Sequence, residues 1–267
     1  MKVRTVLGDV AAGELGVTDS HDHLFFRSAL LAGQELDDPD AAVQEAKDFK
    51  QAGGRTIVQW TPYGLGRGAE WLAKVSEEAG VHVVAATGFH RAEHYAVEVV
   101  ERVRPRLAEL FVDELTSGIG ATGVKAGMIK VAGGFHVLDE HATYVLRAAA
   151  EAHLQTGAPI GVHHELGSGP DAVLDLLTEQ GVPPASVILG HLNRFPDHEL
   201  HLELAARGAF WRSTGRRGRT TRRIRTCSSA WRRWSMAGTP GSCCSAATRP
   251  RRERGRPPVK GRGCPIC

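Results

Sequence analysis

This 267-residue sequence predicts an α/β fold, a (β/α)8 TIM-type barrel of which about six to seven βα units are recognisable. Three observations predict it. Short apolar runs alternate with longer helical patterns as far as residue 211, which implies a parallel sheet. The length suits a single barrel. No Gly-rich phosphate loop follows the first strand, which argues against the competing doubly wound open sheet.

The expected strands are Gly16–Ser20, Thr56–Trp60, His82–Thr87, Gly127–Ala132, Pro159–His163 and Val187–Gly190. All are short, and those after the first are mostly apolar with Val, Ile or Ala, as buried parallel strands are. Helical patterns lie between or after them, at roughly Pro39–Ala52, Gly68–Ala79, Ala96–Thr116, Glu140–Thr156, Asp171–Gln180 and His198–Ala206. Several end at a glycine suited to a left-handed cap, namely Gly53, Gly80, Gly157 and Gly181. A seventh strand starts near Gly208–Trp211, and there the pattern is lost.

Charge and composition divide the chain at the same place. All 13 histidines precede residue 212, and all five cysteines, Cys227, Cys243, Cys244, Cys264 and Cys267, follow it. Residues 212–267 hold 16 Lys and Arg against one acid, Glu253. The body of 1–211 holds 17 basic and 29 acidic residues, so its net charge is −12 and it has no electrostatic footprint for nucleic acid. Met1 to Leu15 contains Asp9 and Glu14 and no long apolar run, which is unlike a signal peptide. No stretch reaches the ~18 apolar residues of a membrane span. The expected location is cytoplasmic.

The body carries a metal-ligand pattern. His21 and His23 stand at i and i+2 where the first strand ends, so both imidazoles can face the barrel mouth. His163 and His164 close the run Pro159–Val162, and His191 follows Val187–Gly190. A single strand-end histidine is commonly structural, but several on separate βα units are hard to assign to chance, because C-terminal strand ends build barrel active sites. Lys130 sits inside the apolar run Met128–Val131. Burial there favours the neutral amine, which can take up carbon dioxide as a carbamate and so bridge two cations. A lysine that snorkels to the rim is the alternative reading.

These residues lie in segments that resemble the phosphotriesterase family of the amidohydrolase superfamily. The segments are Thr18–His23, Thr61–Arg67, Ala86–His90, Ala126–Val131, Thr156–His163 and Ile188–His191, in family order across nearly all of 1–211. The resemblance implies a metal-dependent hydrolase with two divalent ions, zinc or similar. His21 and His23 would hold the buried ion, His163 and His191 the more exposed one, and carbamylated Lys130 the bridge. A metal-bridging hydroxide would attack a phosphotriester, ester or lactone. Phe89 and His90, with Tyr63, would line the substrate pocket, and His164 would lie outside the ligand set. A homodimer is also suggested by the resemblance.

The pattern departs from the family after residue 211. The family places one more ligand, an Asp, at the end of the eighth strand, and residues 212–267 contain no Asp. A frameshift accounts for this. Codon degeneracy lets Cys243-Cys-Ser-Ala-Ala-Thr-Arg249, read two bases forward, encode Leu-Leu-Gly-Gly-Asp-Thr. The same shift after Arg212 permits Phe-Asp-Gly-Pro-Ala-Arg. The expectation is therefore a hydrolase barrel over 1–211, and a basic Cys/Arg-rich tail over 212–267 that is frameshifted and disordered. An open barrel without strand eight would follow, and the activity of this chain is in question. The alternative is a non-catalytic metal-binding or interaction protein whose tail, with Trp231-Arg-Arg-Trp234, binds nucleic acid.

Overall fold

The computed structural model describes residues 2–213 and 243–245. The strands are β1 (Lys2–Thr5), β2 (Gly8–Ala11), β3 (Thr18–Asp22), β4 (Thr56–Gln59), β5 (His82–Thr87), β6 (Met128–Ala132), β7 (Ile160–His163), β8 (Val187–Gly190), β9 (Phe210–Ser213) and β10 (Cys243–Ser245). The α-helices are α1 (Pro39–Gln51), α2 (Ala69–Ala79), α3 (Val97–Val103), α4 (Leu107–Thr116), α5 (Glu140–Thr156), α6 (Pro170–Glu179) and α7 (His198–Ala206).

Strands β3 to β9 pair in parallel and in chain order, with helices in the crossovers. This is the curled sheet of an α/β barrel. The three-residue β10 continues it, pairing in parallel with β9 through Cys243 opposite Trp211, and its backbone lies close to β3. A short eighth strand is therefore present where the sequence predicts none. Otherwise the expected disorder of 212–267 falls outside the described residues.

Two apolar layers follow from the period-2 alternation of each strand. Ile57, Val83, Ile129, Val131, Val162 and Leu189 face outward into the main core against the helices. Val58, Val84, Ala86, Met128 and Ile188 gather instead around Trp60 inside the barrel. Trp60 is fully buried and donates its indole N–H to the Ser20 carbonyl at 2.8 Å. A Cβ at Gly161 would meet the Trp60 ring at 2.8 Å, so glycine there makes room for the indole. Trp60 thus forms the floor on which the site rests.

The N-terminal hairpin β1–β2, which the sequence reading does not include, packs Val3 against this interior cluster and closes the barrel's lower end. The single helix expected over Ala96–Thr116 is two, α3 and α4, separated by a 3-10 turn at Arg104–Arg106. Pro105 causes the break, because it lacks the N–H an uninterrupted helix needs. All four expected glycine caps adopt positive φ, as at Gly157 (φ 73°). The seventh strand, expected to start near Gly208–Trp211, is β9 and runs from Phe210 to Ser213. No described helix is long and apolar enough to cross a membrane.

Candidate metal centre

Five residues that the sequence singles out sit on the barrel interior at or near the C-terminal strand ends. His21 lies in β3 and His23 directly after it, Lys130 in β6, His163 at the end of β7, and His191 directly after β8. All are buried, with Lys130 only 1% exposed. The imidazole rings form a continuous arc. Ring centroids are 5.2 Å apart for His21 and His23, 4.9 Å for His21 and His191, and 4.6 Å for His163 and His191. His90 extends the arc, 5.0 Å from His163 and 4.4 Å from His94. Beneath it the His21 ring stacks on Trp60 at 4.2 Å.

Lys130 is two residues beyond Met128 on the interior face of β6, which points its side chain up into the arc. A close contact fixes this segment. Gly88 has φ +116°, and a Cβ there would lie 1.9 Å from the Lys130 carbonyl oxygen. His191 adopts φ +66°, a left-handed conformation costly for a residue with a Cβ. Such strain at a buried polar strand end is typical of functional positions.

Electrostatics favour the neutral form of His21, His90, His163 and His191. Burial holds His21, His90 and His191 well below the usual histidine pKa, and the nearby Lys130 charge pushes the same way. Burial lowers His163 to about 3, against an opposing interaction with Glu165. A neutral imidazole has one lone pair, which is the state a metal requires. Among the described residues no three His, Cys, Asp or Glu side chains meet at one ion-sized point. The histidines instead form one run of rings in the order His23, His21, His191 and His163, of which His23 and His21 are the first pair. The spacing of the first pair fits an ion. His21 Nε2 and His23 Nε2 are 3.3 Å apart, and two nitrogens bound tetrahedrally to zinc at roughly 2.0–2.1 Å stand about 3.3 Å apart.

A cavity of about 330 Å³ opens beside the arc, bounded by Leu30, Leu31, His90, Arg91, His94, His163 and Glu165. Of the three expected pocket residues, only His90 borders it. Phe89 is 1% exposed and stacks on Tyr95 at 4.0 Å, so it belongs to the core. Tyr63 lines a neighbouring groove with Arg67 and Glu114. His164 is fully buried and bonds the Ser168 carbonyl through Nδ1 at 3.2 Å, away from the ligand arc. The sequence reading did not single out Arg91, His94, Glu165 or Arg212. Glu165 receives Arg91 at 2.9 Å and lies 3.4 Å from His163 Nε2.

Arg212 is fully buried, with its guanidinium 5.6 Å from the Trp60 ring, and its charge lowers the His21 and His191 pKa values. A cation there opposes an incoming divalent ion, in part offset by the nearby Asp19. Arg212→Met is therefore expected to tighten zinc binding about tenfold, since ~1–2 kcal/mol of like-charge repulsion is lost. Chelator competition on the two proteins measures the change.

Comparison with known proteins agrees with the architecture. The model of the phosphotriesterase family matches residues 1–215. A phospho-furanose lactonase of Mycoplasmopsis agalactiae is 33% identical over 214 residues, covering 73% of this chain and 61% of that protein. An aryldialkylphosphatase of Saccharolobus solfataricus is 30% identical over 208 residues, covering 75% and 66%. The chain thus spans less than two thirds of the length of both curated relatives. Among solved structures, a lactonase from Listeria monocytogenes superposes with a TM-score of 0.81 at 26% identity, over 92% of this chain and 82% of that one.

Proposed function

The chain belongs to the phosphotriesterase family, and from that premise we propose that it is built as a metal-dependent hydrolase of small-molecule lactones, carboxylic esters or phosphotriesters. The observation that carries the proposal is the buried arc of four histidines around Lys130, with the His21 and His23 nitrogens at the spacing of two ligands on one ion. His21 and His23 would hold one divalent ion, probed as zinc, and His163 and His191 the other. Lys130, as a carbamate, would supply an anionic bridge. Two such ions supply Lewis acidity toward a substrate oxygen and acidify a water to near neutral pH.

The chain's own residues do the rest. The cavity between His90, Arg91 and His163 admits a small ester beside the histidine arc. His90 Nε2 is buried and has no hydrogen-bond partner among the described residues, so it is free to orient a substrate oxygen. The Trp60 floor and the interior apolar cluster exclude water from below. The names of the relatives, a lactonase and a phosphatase, support this substrate class. Cytoplasmic location and a homodimer belong to the same reading.

Full activity on this reading needs the Asp that residues 212–267 lack, and a shifted reading frame explains its loss. The test compares the chain as given with one whose frame is corrected from codon 212, so that strand eight reads Leu-Leu-Gly-Gly-Asp-Thr. Both are assayed against lactones, carboxylic esters and a phosphotriester. The corrected chain is expected to hydrolyse at least one class, lose that activity to a chelator and regain it with zinc. The chain as given should be slower by at least ~10²-fold, the cost of several kcal/mol of metal-assisted stabilisation. A zinc-loaded corrected chain inert toward all three classes, or one indifferent to chelation, would sink the proposal.

A further inference from the structure

The hydroxyl of Thr61 fixes which nitrogen of His23 carries the proton. Thr61 directly follows the floor residue Trp60, and its side chain is fully buried. Its Oγ1 is 2.6 Å from the Phe25 carbonyl and 2.7 Å from His23 Nδ1. A carbonyl only accepts, so the single hydroxyl proton goes to Phe25 O. The hydroxyl oxygen must then accept from His23, which places the imidazole proton on Nδ1 and the lone pair on Nε2. That Nε2 is the atom 3.3 Å from His21 Nε2.

Gln59, two residues earlier in chain, holds the geometry. Its Oε1 accepts from Leu24 N–H at 2.8 Å, and its Nε2 donates to Phe25 O at 2.9 Å. The backbone just after His23 is thereby clamped, and Phe25 O is kept where the Thr61 hydroxyl must point at it. Donating to Nδ1 instead would leave two oxygens facing each other at 2.6 Å with no proton between them.

We propose that Thr61 is a positioning residue. It locks His23 in the Nδ1–H form and aims the Nε2 lone pair at the space shared with His21, ready for a divalent cation. This rests on the metal-centre reading above for the identity of what binds. It assigns Thr61 a role that the residue type and its position in the sequence do not disclose.

The experiment uses the full chain, with zinc as the probe. Thr61→Val keeps the shape and removes the hydroxyl, and Thr61→Ser restores it. Zinc affinity from chelator competition is expected to weaken by ~10–100-fold in Thr61→Val and to stay within about threefold of the parent in Thr61→Ser, as for other partners of metal-bound histidines. Long-range proton–nitrogen correlation on zinc-free protein near neutral pH gives the tautomer directly. His23 should be Nδ1–H in the parent and in Thr61→Ser, and shifted toward Nε2–H in Thr61→Val. A merely structural role would change stability and leave the tautomer alone.

The proposal is overturned if the parent His23 is Nε2–H, or if Thr61→Val folds and matches the parent in tautomer and zinc affinity. If the parent binds no zinc, the metal reading fails, while the tautomer still decides the role of Thr61. If Thr61→Val does not fold, the parent and Thr61→Ser tautomers decide it.

Discussion

Lys130→Met is expected to leave the barrel folded and to abolish the binding of a second divalent ion. Lys130 is 1% exposed and lies on the interior face of β6, and its charge lowers the pKa of His21, His90, His94, His163 and His191 together. Among the described residues no other charge acts on all five. Methionine matches its unbranched stem, so the packing survives and only the amine is lost. On the proposed reading the anionic bridge goes with the amine, and the histidines no longer hold two cations at close range. In the frame-corrected chain the loss of several kcal/mol of Lewis-acid stabilisation lowers turnover by at least ~10²-fold. Bicarbonate should strengthen zinc binding by the parent and have no effect on Lys130→Met. Equal zinc stoichiometry in the two proteins would mean that Lys130 is structural.

Gly88→Ala is expected to have the largest effect on stability. The residue is at φ +116°, where a side chain is strained, and its Cβ would lie 1.9 Å from the Lys130 carbonyl oxygen. That neighbour is backbone in a central parallel strand, flanked by β5 and β7, so it cannot move aside cheaply. Backbone strain of ~1–3 kcal/mol and overpacking of ~1–3 kcal/mol together give about 2–6 kcal/mol. At roughly 2–4 °C per kcal/mol for a chain of this size, the melting point falls by about 4–24 °C. Thermal unfolding followed by circular dichroism checks this. A change below ~2 °C would show that the β5–β6 contact relaxes freely.

The strands of the barrel were legible because a parallel strand covered on both faces must be apolar throughout. Thr56–Gln59, His82–Thr87 and Val187–Gly190 stand out for that reason. The hairpin β1–β2 was not legible, since Lys2-Val-Arg-Thr is four residues long and only Val3 in it is apolar. The break between α3 and α4 was signalled by Pro105, which the apolar periodicity around it masked.

At the site, His21, His23, His163 and His191 were readable as histidines ending apolar runs, and Lys130 as a charge within one. Their strand-end positions pointed to one site, but the spacing between the rings could not be read, because it depends on strand register. Phe89 looked like a pocket aromatic, yet stacking on Tyr95 takes it into the core. Thr61 and Glu165 carried no signal of their own. Thr61 acquires its role from His23, 38 positions away, and Glu165 acquires its own from Arg91 and His163. A hydroxyl or carboxylate near a strand end is common, and only the folded geometry shows which imidazole it meets.

The central claim is that the histidine arc around Lys130 is a binding site for divalent ions. Crystals of the full chain grown with zinc and measured at the zinc absorption edge test it most directly. The account predicts anomalous density within coordination distance of His21 Nε2 and His23 Nε2, and a second peak beside His163 and His191. Density absent from both pairs in zinc-saturated crystals, or found only at other residues, would contradict it.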